Sequence, residues 1–561
     1  MDNRMPSIAP PLQPPLSGST KILCYTAAAL VPLAYLFLYS PYGMDTTDIG
    51  YFYGFPWRLL QGEFPYRDFY YINPPVAISW HALWMFLTPE TWNVLAGRAG
   101  FLLEMLLTSW LTTLYLNRVF ALERLGLPLS LLATTGFVFA VHSFPHMPWH
   151  TIDGIFFSSV ALYAGISGHP FIAGFFAVLP SLCKQSFTLV PLGLALSFWF
   201  LRPRKREVIF FISAAGLTFL AYRLILQQAG AWDAFVFMTT APLNFSEALD
   251  SGIFIYLRQP WWIPALAALP FLGLRLAKKD VPDWLQPIPV YLFLLAMRYI
   301  VKTHMEQRWI GYGESWPMFC VILGGLCLLF PRRNLLPWLR DTESPHPLLR
   351  CVAGLGAPLL VAWSVGISGG YKVPAFFAVP LIFALLVLHA RLGGRPLRAA
   401  VTALVLGLVM FRAGYEYPYV FPSRPMPRAS LTFNAGDIFP KASGIYVDKE
   451  MYEELRELRL LRERYGPGYK TMPGFTMAYY LTGDKPAFPA DWLMDWSISN
   501  QPDKLYQILL EKDLTVFMEK DQMDMEQADG YERNRYTIPQ RVRKTWTVID
   551  ETPHFLVMRK P

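Results

Sequence analysis

Two aspartates, Asp45 and Asp48, follow closely on the first long apolar run of the chain. A carboxylate held at such a point can take the proton of a hydroxyl as that hydroxyl attacks a carbon centre. A third acid, Asp153, sits in His150-Thr151-Ile152-Asp153-Gly154, and Lys184-Gln185-Ser186 lies between two apolar runs. A lysine in such a place is costly unless it meets water or an anion. Arg58, and His304 and Arg308 in Lys302-Thr303-His304-Met305-Glu306-Gln307-Arg308, add further cationic candidates. A carboxylate base facing cations suits transfer onto a hydroxyl with a phosphate as leaving group, because a departing phosphate needs a cation but no acid. Each residue also has a plainer use. Asp48 is a favoured type to cap a helix, with Asp45 as the alternative reacting acid; Lys184 could extend its ammonium to the interface. His142, His146 and His150 are spaced by four, but Pro145 and Pro148 break the helix that would align them on a metal.

The elements that must position these groups are legible from composition. The 561 residues are 53% hydrophobic and only 16% charged, against about 25% charged in soluble proteins. Residues 1–414 contain 29 Lys and Arg and 19 Asp and Glu, whereas 415–561 contain 20 and 22. The first region, net +10, has too few charges to face water; the second, net −2, has ordinary soluble composition. The basic excess therefore belongs to loops between membrane spans, not to nucleic-acid binding. A span needs about 20 apolar residues. The pattern predicts about 13 spans, at 22–40, 98–117, 127–142, 152–166, 170–183, 186–201, 208–227, 260–277, 285–301, 315–330, 349–367, 374–390 and 397–413. Residues 76–88, bounded by Pro74-Pro75 and Pro89, are too short and read as a re-entrant or interfacial helix.

Residues 1–21 are expected to be a cytoplasmic tail, and the first apolar run an uncleaved span. With that orientation the basic clusters, such as Arg202-Pro203-Arg204-Lys205-Arg206, alternate as the positive-inside rule requires. The loop 41–97, Asp153, Lys184 and His304 then all fall on the outer side, as does 415–561. That last region reads as a soluble α/β domain: a strand at 445–447, an amphipathic helix over 449–464 with Leu455, Leu458 and Leu461 on one face, a helix over 503–512, a strand over 514–518, and a terminal hairpin at 545–549 and 555–558. It contains no Gly-rich nucleotide loop. The five cysteines form no CxxC pair and read as small apolar residues.

Over 41–100 the chain resembles the GT-C class of membrane glycosyltransferases, in the bacterial branch related to the lipid A aminoarabinose transferase and the protein O-mannosyltransferases. The resemblance is carried by Asp48-Ile49-Gly50-Tyr51, by Leu59-Leu60-Gln61-Gly62-Glu63-Phe64-Pro65-Tyr66-Arg67-Asp68, and by Pro74-Pro75, in order and spacing. It differs at Ile49, where a second acid often follows, and at Ile72-Asn73, where the aminoarabinose enzymes have Glu-Lys. The resemblance implies a polytopic α-helical membrane protein, with 22–414 as the catalytic transmembrane domain. It implies an inverting transfer of a sugar from a polyprenyl-phosphate donor to a glycan, lipid or protein acceptor on the outer face of a bacterial inner membrane. Carried over, Asp48 is the catalytic base and Asp153 the second loop acid; Lys184, Arg58, His304 and Arg308 meet donor phosphate. Some members use a divalent cation, and Asp48 and Asp153 would be its ligands here if Mg or Mn takes part. Two other classes share the outer cations: a transporter or flippase of lipid-linked sugars, and a non-catalytic envelope assembly protein. A transporter predicts charges or broken helices near the bilayer midplane, and an assembly protein has no reason to gather the acids and cations at one place.

Overall fold

The computed structural model describes residues 18–120, 122, 128–141, 146–202, 204–241, 347–367, 411–412, 415–421, 424–521 and 536–561. The expected spans at 260–277, 285–301, 315–330 and 374–390, most of 397–413, and the candidates His304 and Arg308 lie outside the described residues.

Eleven helices are described up to residue 367: α1 (Gly18–Leu38), α2 (Asp48–Leu60), α3 (Val76–Leu87), α4 (Asn93–Phe120), α5 (Leu129–Val141), α6 (His150–Ile166), α7 (Pro170–Cys183), α8 (Val190–Leu201), α9 (Lys205–Gln228), α10 (Trp232–Thr240) and α11 (Pro347–Ile367). Among the described residues three stretches, Lys21–Leu38, Glu90–Phe120 and Lys205–Gln228, are long and apolar enough to cross a membrane, and the other apolar helices described are shorter. α4 packs on α5 and α6, α6 on α7, and α7 on α9. Their shared core includes Tyr35, Phe101, Tyr115, Phe137, Leu162 and Phe198. At 12 residues, α3 is about 18 Å long against a hydrocarbon layer of about 30 Å, so it cannot cross.

The C-terminal residues are mixed α and β. Two short antiparallel pairs come first, β1 (Tyr419–Phe421) with β2 (Arg424–Met426) and β3 (Phe433–Asn434) with β4 (Tyr446–Val447). The expected amphipathic helix is α12 (Lys449–Tyr465), with Leu455, Leu458 and Leu461 buried and the Asp448 carboxylate accepting from Met451 N at 2.9 Å as an N-cap. After β5 (Tyr469–Met472) come the short α13 (Ala478–Thr482), α14 (Pro502–Glu511), β6 (Thr515–Glu519), α15 (Thr537–Thr545), β7 (Thr547–Glu551) and β8 (Phe555–Arg559). The sheet order is β5-β6-β8-β7, with β5 and β6 parallel and the remaining pairs antiparallel. The terminal hairpin is thus as the sequence predicts. β5 is an addition: all four residues of Tyr469-Lys470-Thr471-Met472 are buried, so they lack the alternation that marks a half-exposed strand.

The chain leaves α1 by a turn welded to the C-terminal region. Gly43 N donates to Tyr446 O at 2.8 Å and Tyr446 N to Pro41 O at 2.7 Å. Gly43 has φ +76°, and a Cβ there would lie 2.3 Å from the Cβ of Tyr419, so only glycine fits. Arg98 of α4, fully buried, donates to Ser40 O at 2.5 Å, to Tyr42 O at 3.3 Å and to Gly43 O, and lies over the Tyr419 ring. One guanidinium therefore satisfies three carbonyls of the turn that leads to Asp48. Arg98→Ala is expected to destabilise the fold by about 2–4 kcal/mol, the order of cost for stranding buried carbonyls. The check is a clear drop in melting temperature of the detergent-solubilised protein.

Candidate active site

The first turn of α2 is built by Asp45. Its buried carboxylate accepts from Thr47 N at 3.1 Å, Asp48 N at 2.5 Å and Ile49 N at 3.0 Å. These are the amides a helix start leaves without partners. Capping is thus done by Asp45, and Asp48 follows as a half-buried acid in the first turn.

Every residue from Ile49 to Arg58 is buried, so α2 has two working faces. Residues two apart stand about 200° apart around a helix, and residues four apart share a side. One side carries Gly50, Gly54 and Arg58, and it meets the C-terminal region. A Cβ on Gly50 would lie 2.4 Å from Thr476 Oγ1, and one on Gly54 2.6 Å from Thr476 O. Arg58 Nε and NH2 bond the two oxygens of Asp491 at 2.7 and 2.8 Å; NH1 bonds Glu63 at 2.7 Å and NH2 also reaches Phe488 O. The guanidinium of Arg58, expected to meet phosphate, is committed to this joint.

The opposite side carries Asp48 and Phe52. The Phe52 ring lies 5.1 Å from the ring of His150, 5.9 Å from Trp149 and 5.6 Å from His81. The Asp48 side of α2 therefore looks onto the start of α6. Three residues on, Asp153 is almost wholly buried, with both oxygens within 2.9–3.1 Å of His81 Nε2 of α3. The Glu104 carboxyl of α4 is a charged neighbour of it and accepts from Trp80 Nε1 at 2.5 Å.

Lys184 reaches the same turn from another direction. It ends α7 in an extended conformation, and its Nζ donates to Thr151 Oγ1 at 3.0 Å. Gln185 beside it donates from Nε2 to Ile72 O at 2.5 Å, just before Pro74-Pro75, and to Thr239 O at 3.3 Å. The Lys184-Gln185 corner is thereby tied to the loop that carries Asp48. Asp153 and Lys184 accordingly meet at the first turn of α6, whose amide end favours negative charge, and the side of α2 that carries Asp48 packs there through Phe52.

The other motif residues hold the loop itself. Asp68 Oδ2 accepts from Phe64 N at 2.7 Å and pairs with Arg67; the Tyr66 hydroxyl donates to Asn73 O at 2.5 Å, and Asn73 Nδ2 reaches the Tyr51 hydroxyl at 3.3 Å. Among the described residues, no three His, Cys, Asp or Glu side chains converge as a metal site. Asp153 is paired with His81, and no step below uses a divalent ion.

No family model and no curated protein matches the sequence. Among solved structures the chain is similar to apo ArnT from Cupriavidus metallidurans, at 13% identity and TM-score 0.43, covering 97% of this chain and 98% of that one. The structure of ArnT bound to undecaprenyl phosphate gives 12% and 0.42 over the same shares. The oligosaccharyltransferase AglB of Archaeoglobus fulgidus, in complex with an inhibitory peptide and a dolichol-phosphate, gives 12% and 0.45 over 97% of this chain and 75% of that one. Likeness at this level assigns no activity to the chain, and function has to be read from its side chains.

Four polar residues of the joint escape a reading by motif. Thr476, Asp491, Lys470 and Glu519 lie more than 400 residues from α2 in sequence and are all buried. Glu519, at the end of β6, accepts from Gly474 N at 2.9 Å, and Lys470 Nζ donates to Asp491 O at 2.7 Å. Burial pushes the Glu519 carboxyl up to about 8, against the pull of the Gly474 and Phe475 amides and of Lys470, with the charge of Asp45 adding to the rise. Burial, with the nearby charge of Asp48, likewise raises Asp45 to about 7, while three backbone amides pull it down. Burial lowers Lys470 to about 8, opposed by Asp491 and Glu519 and helped by Arg58.

A carboxyl raised in the folded state stabilises the fold at low pH, and that contribution is lost as pH rises to the folded value. Lys470 stays charged, folded or unfolded, below about pH 8, so it adds no slope there. Thermal stability is expected to fall between about pH 5 and about pH 8, and Glu519→Gln, which keeps an acceptor for Gly474 without the charge, should flatten that fall. Melting curves of both proteins across that range decide it; parallel profiles would remove Glu519 as a source of the slope.

Proposed function

We propose that the protein is a multi-pass membrane glycosyltransferase that moves a sugar from a polyprenyl-phosphate carrier to an acceptor hydroxyl on the outer side of a bacterial inner membrane. The observation that supports this most directly is the meeting of the Asp48 face of α2 and the Lys184 ammonium at the first turn of α6. In this reading a carboxylate faces a cation and a helix amide end, with apolar helices around them. A lipid carrier needs that combination: a greasy surface for its chain and positive charge for its phosphate.

In this reading Asp48 takes the proton of the acceptor hydroxyl as its oxygen bonds to the anomeric carbon. The bond from that carbon to the phosphate oxygen breaks, and the electron pair leaves with the carrier phosphate. Attack opposite the leaving group inverts the centre. Lys184 holds the growing phosphate charge, and Gln185 keeps Lys184 turned toward the loop. Arg58 and Asp153 act from behind, one fixing α2 to the C-terminal region and the other ordering the start of α6 through His81 and Glu104. His304 and Arg308 are proposed as further phosphate contacts, and the outer C-terminal residues as the wall that admits a glycan, lipid or protein acceptor.

Incubating purified protein with polyprenyl phosphates, each carrying one labelled hexose or pentose, should identify a donor from which label is transferred or released. With that donor, Asp48→Asn is expected to lose about 10²–10⁴-fold in turnover while still binding the carrier, the usual scale for removing a general base. Wild-type turnover in Asp48→Asn would end the assignment. Lys184→Ala is expected to lower kcat by about 10²-fold or more, as removal of a charge-stabilising donor does. Single-turnover measurements check this, since they separate transfer from binding.

A further inference from the structure

The segment Gly474–Met477 lies between β5 and α13. Thr476 Oγ1 donates to Thr47 O at 2.6 Å and lies 3.2 Å from Thr46 O; Met477 N donates to Thr46 O at 3.3 Å. These are the two carbonyls immediately before Asp48. The amides of the same turn, at 47, 48 and 49, are held by Asp45. The backbone that presents Asp48 is therefore gripped twice: its N–H groups by an acid of the first loop, its carbonyls by a hydroxyl and an amide more than 400 residues away.

The grip is close because α2 offers no side chain there. A Cβ on Gly50 would stand 2.4 Å from Thr476 Oγ1 and 2.6 Å from Met477 N, and one on Gly54 2.6 Å from Thr476 O. Two of these three neighbours are backbone, which cannot move aside as a side-chain tip can. The gripping segment is itself held from behind by Glu519, which binds Gly474 N.

We propose that Thr476 is a positioning residue for Asp48, so that the C-terminal region sets the geometry of the reacting acid. The proposal rests on the reading of Asp48 as the base, and it adds the element that places that base. Its local consequence does not depend on the reaction. Removing the Thr476 hydroxyl leaves Thr46 O with Met477 N and Thr47 O with Tyr51 N, and so loosens the turn, whether or not Asp48 takes a proton.

The experiment compares wild type, Thr476→Val and Thr476→Ser as full-length detergent-solubilised protein. Valine keeps the shape and removes the donor; serine keeps the donor. Hydrogen exchange is followed by mass spectrometry in peptides covering residues 45–52. Turnover is followed with the labelled polyprenyl-phosphate sugar that the wild type uses. Thr476→Val should speed exchange in those peptides about 10-fold or more. It should lower kcat about 10–100-fold, the scale of a misplaced reacting group, with donor KM within about twofold. Thr476→Ser should restore both. Gly50→Ala, which wedges the same contact apart, should reproduce the Thr476→Val exchange pattern if the valine variant is poorly folded. Unchanged exchange in 45–52 in both Thr476→Val and Gly50→Ala overturns the positioning role, as does equal loss of kcat in the valine and serine variants. Altered exchange with an active Asp48→Asn leaves the positioning of the turn standing and removes Asp48 as the base, so the two failures are told apart.

Discussion

A helix buried on every side must find partners for all of its polar groups within the protein. That constraint organises this molecule around α2. Its exposed amides are taken by Asp45, its preceding carbonyls by Thr476 and Met477, its Trp57 indole N–H by Asp484 O, and its Arg58 by Asp491 and Glu63. The partners come from two parts of the chain, the first loop itself and residues 476–491, so satisfying one short helix joins that loop to the C-terminal region.

The two faces of α2 divide the labour. Glycines at 50 and 54 let a loop come to backbone distance on one side, where Thr476, Arg58 and Asp491 are spent on structure. On the other side Phe52 packs against His150 while Asp48 remains only half-buried beside the start of α6. The joint concentrates titratable groups that burial pushes toward neutrality, Asp45, Glu519 and Lys470. Their raised or lowered values belong to the cement, and a perturbed group is not by itself the mark of a reacting one.

Much of this was legible in the sequence because it follows local rules. Asp48, Asp153 and Lys184 each stand out as ionisable residues at the ends of apolar runs, and the structure brings Lys184 to the turn that carries Asp153, with the Phe52 side of α2 packed beside it. The amphipathic 449–464 helix and the terminal hairpin carry clear periodicity. What stayed hidden depends on tertiary contact. Nothing local distinguishes Asp45 from Asp48 as the cap, since both precede the same helix at plausible spacing. Arg58 reads as a free cation until Asp491 is placed beside it. Glu104 did leave a signal, a lone acid inside the 98–117 apolar run, whereas Thr476 left none: a threonine in a loop has no periodicity to betray it.

The span between α2 and its partners also has a consequence in time. The bonds from Trp57 and Arg58 to Asp484 and Asp491 bridge 427 and 433 residues. At a synthesis rate of about 5–20 residues per second, that separation amounts to roughly 20–90 s. A 13-residue helix is marginal alone in water, and throughout that interval its Gly50, Gly54 and Arg58 side has nothing yet made to cover it. The lipid headgroup zone is the natural shelter for such a segment, which makes the last quarter of the polypeptide the piece that completes the first.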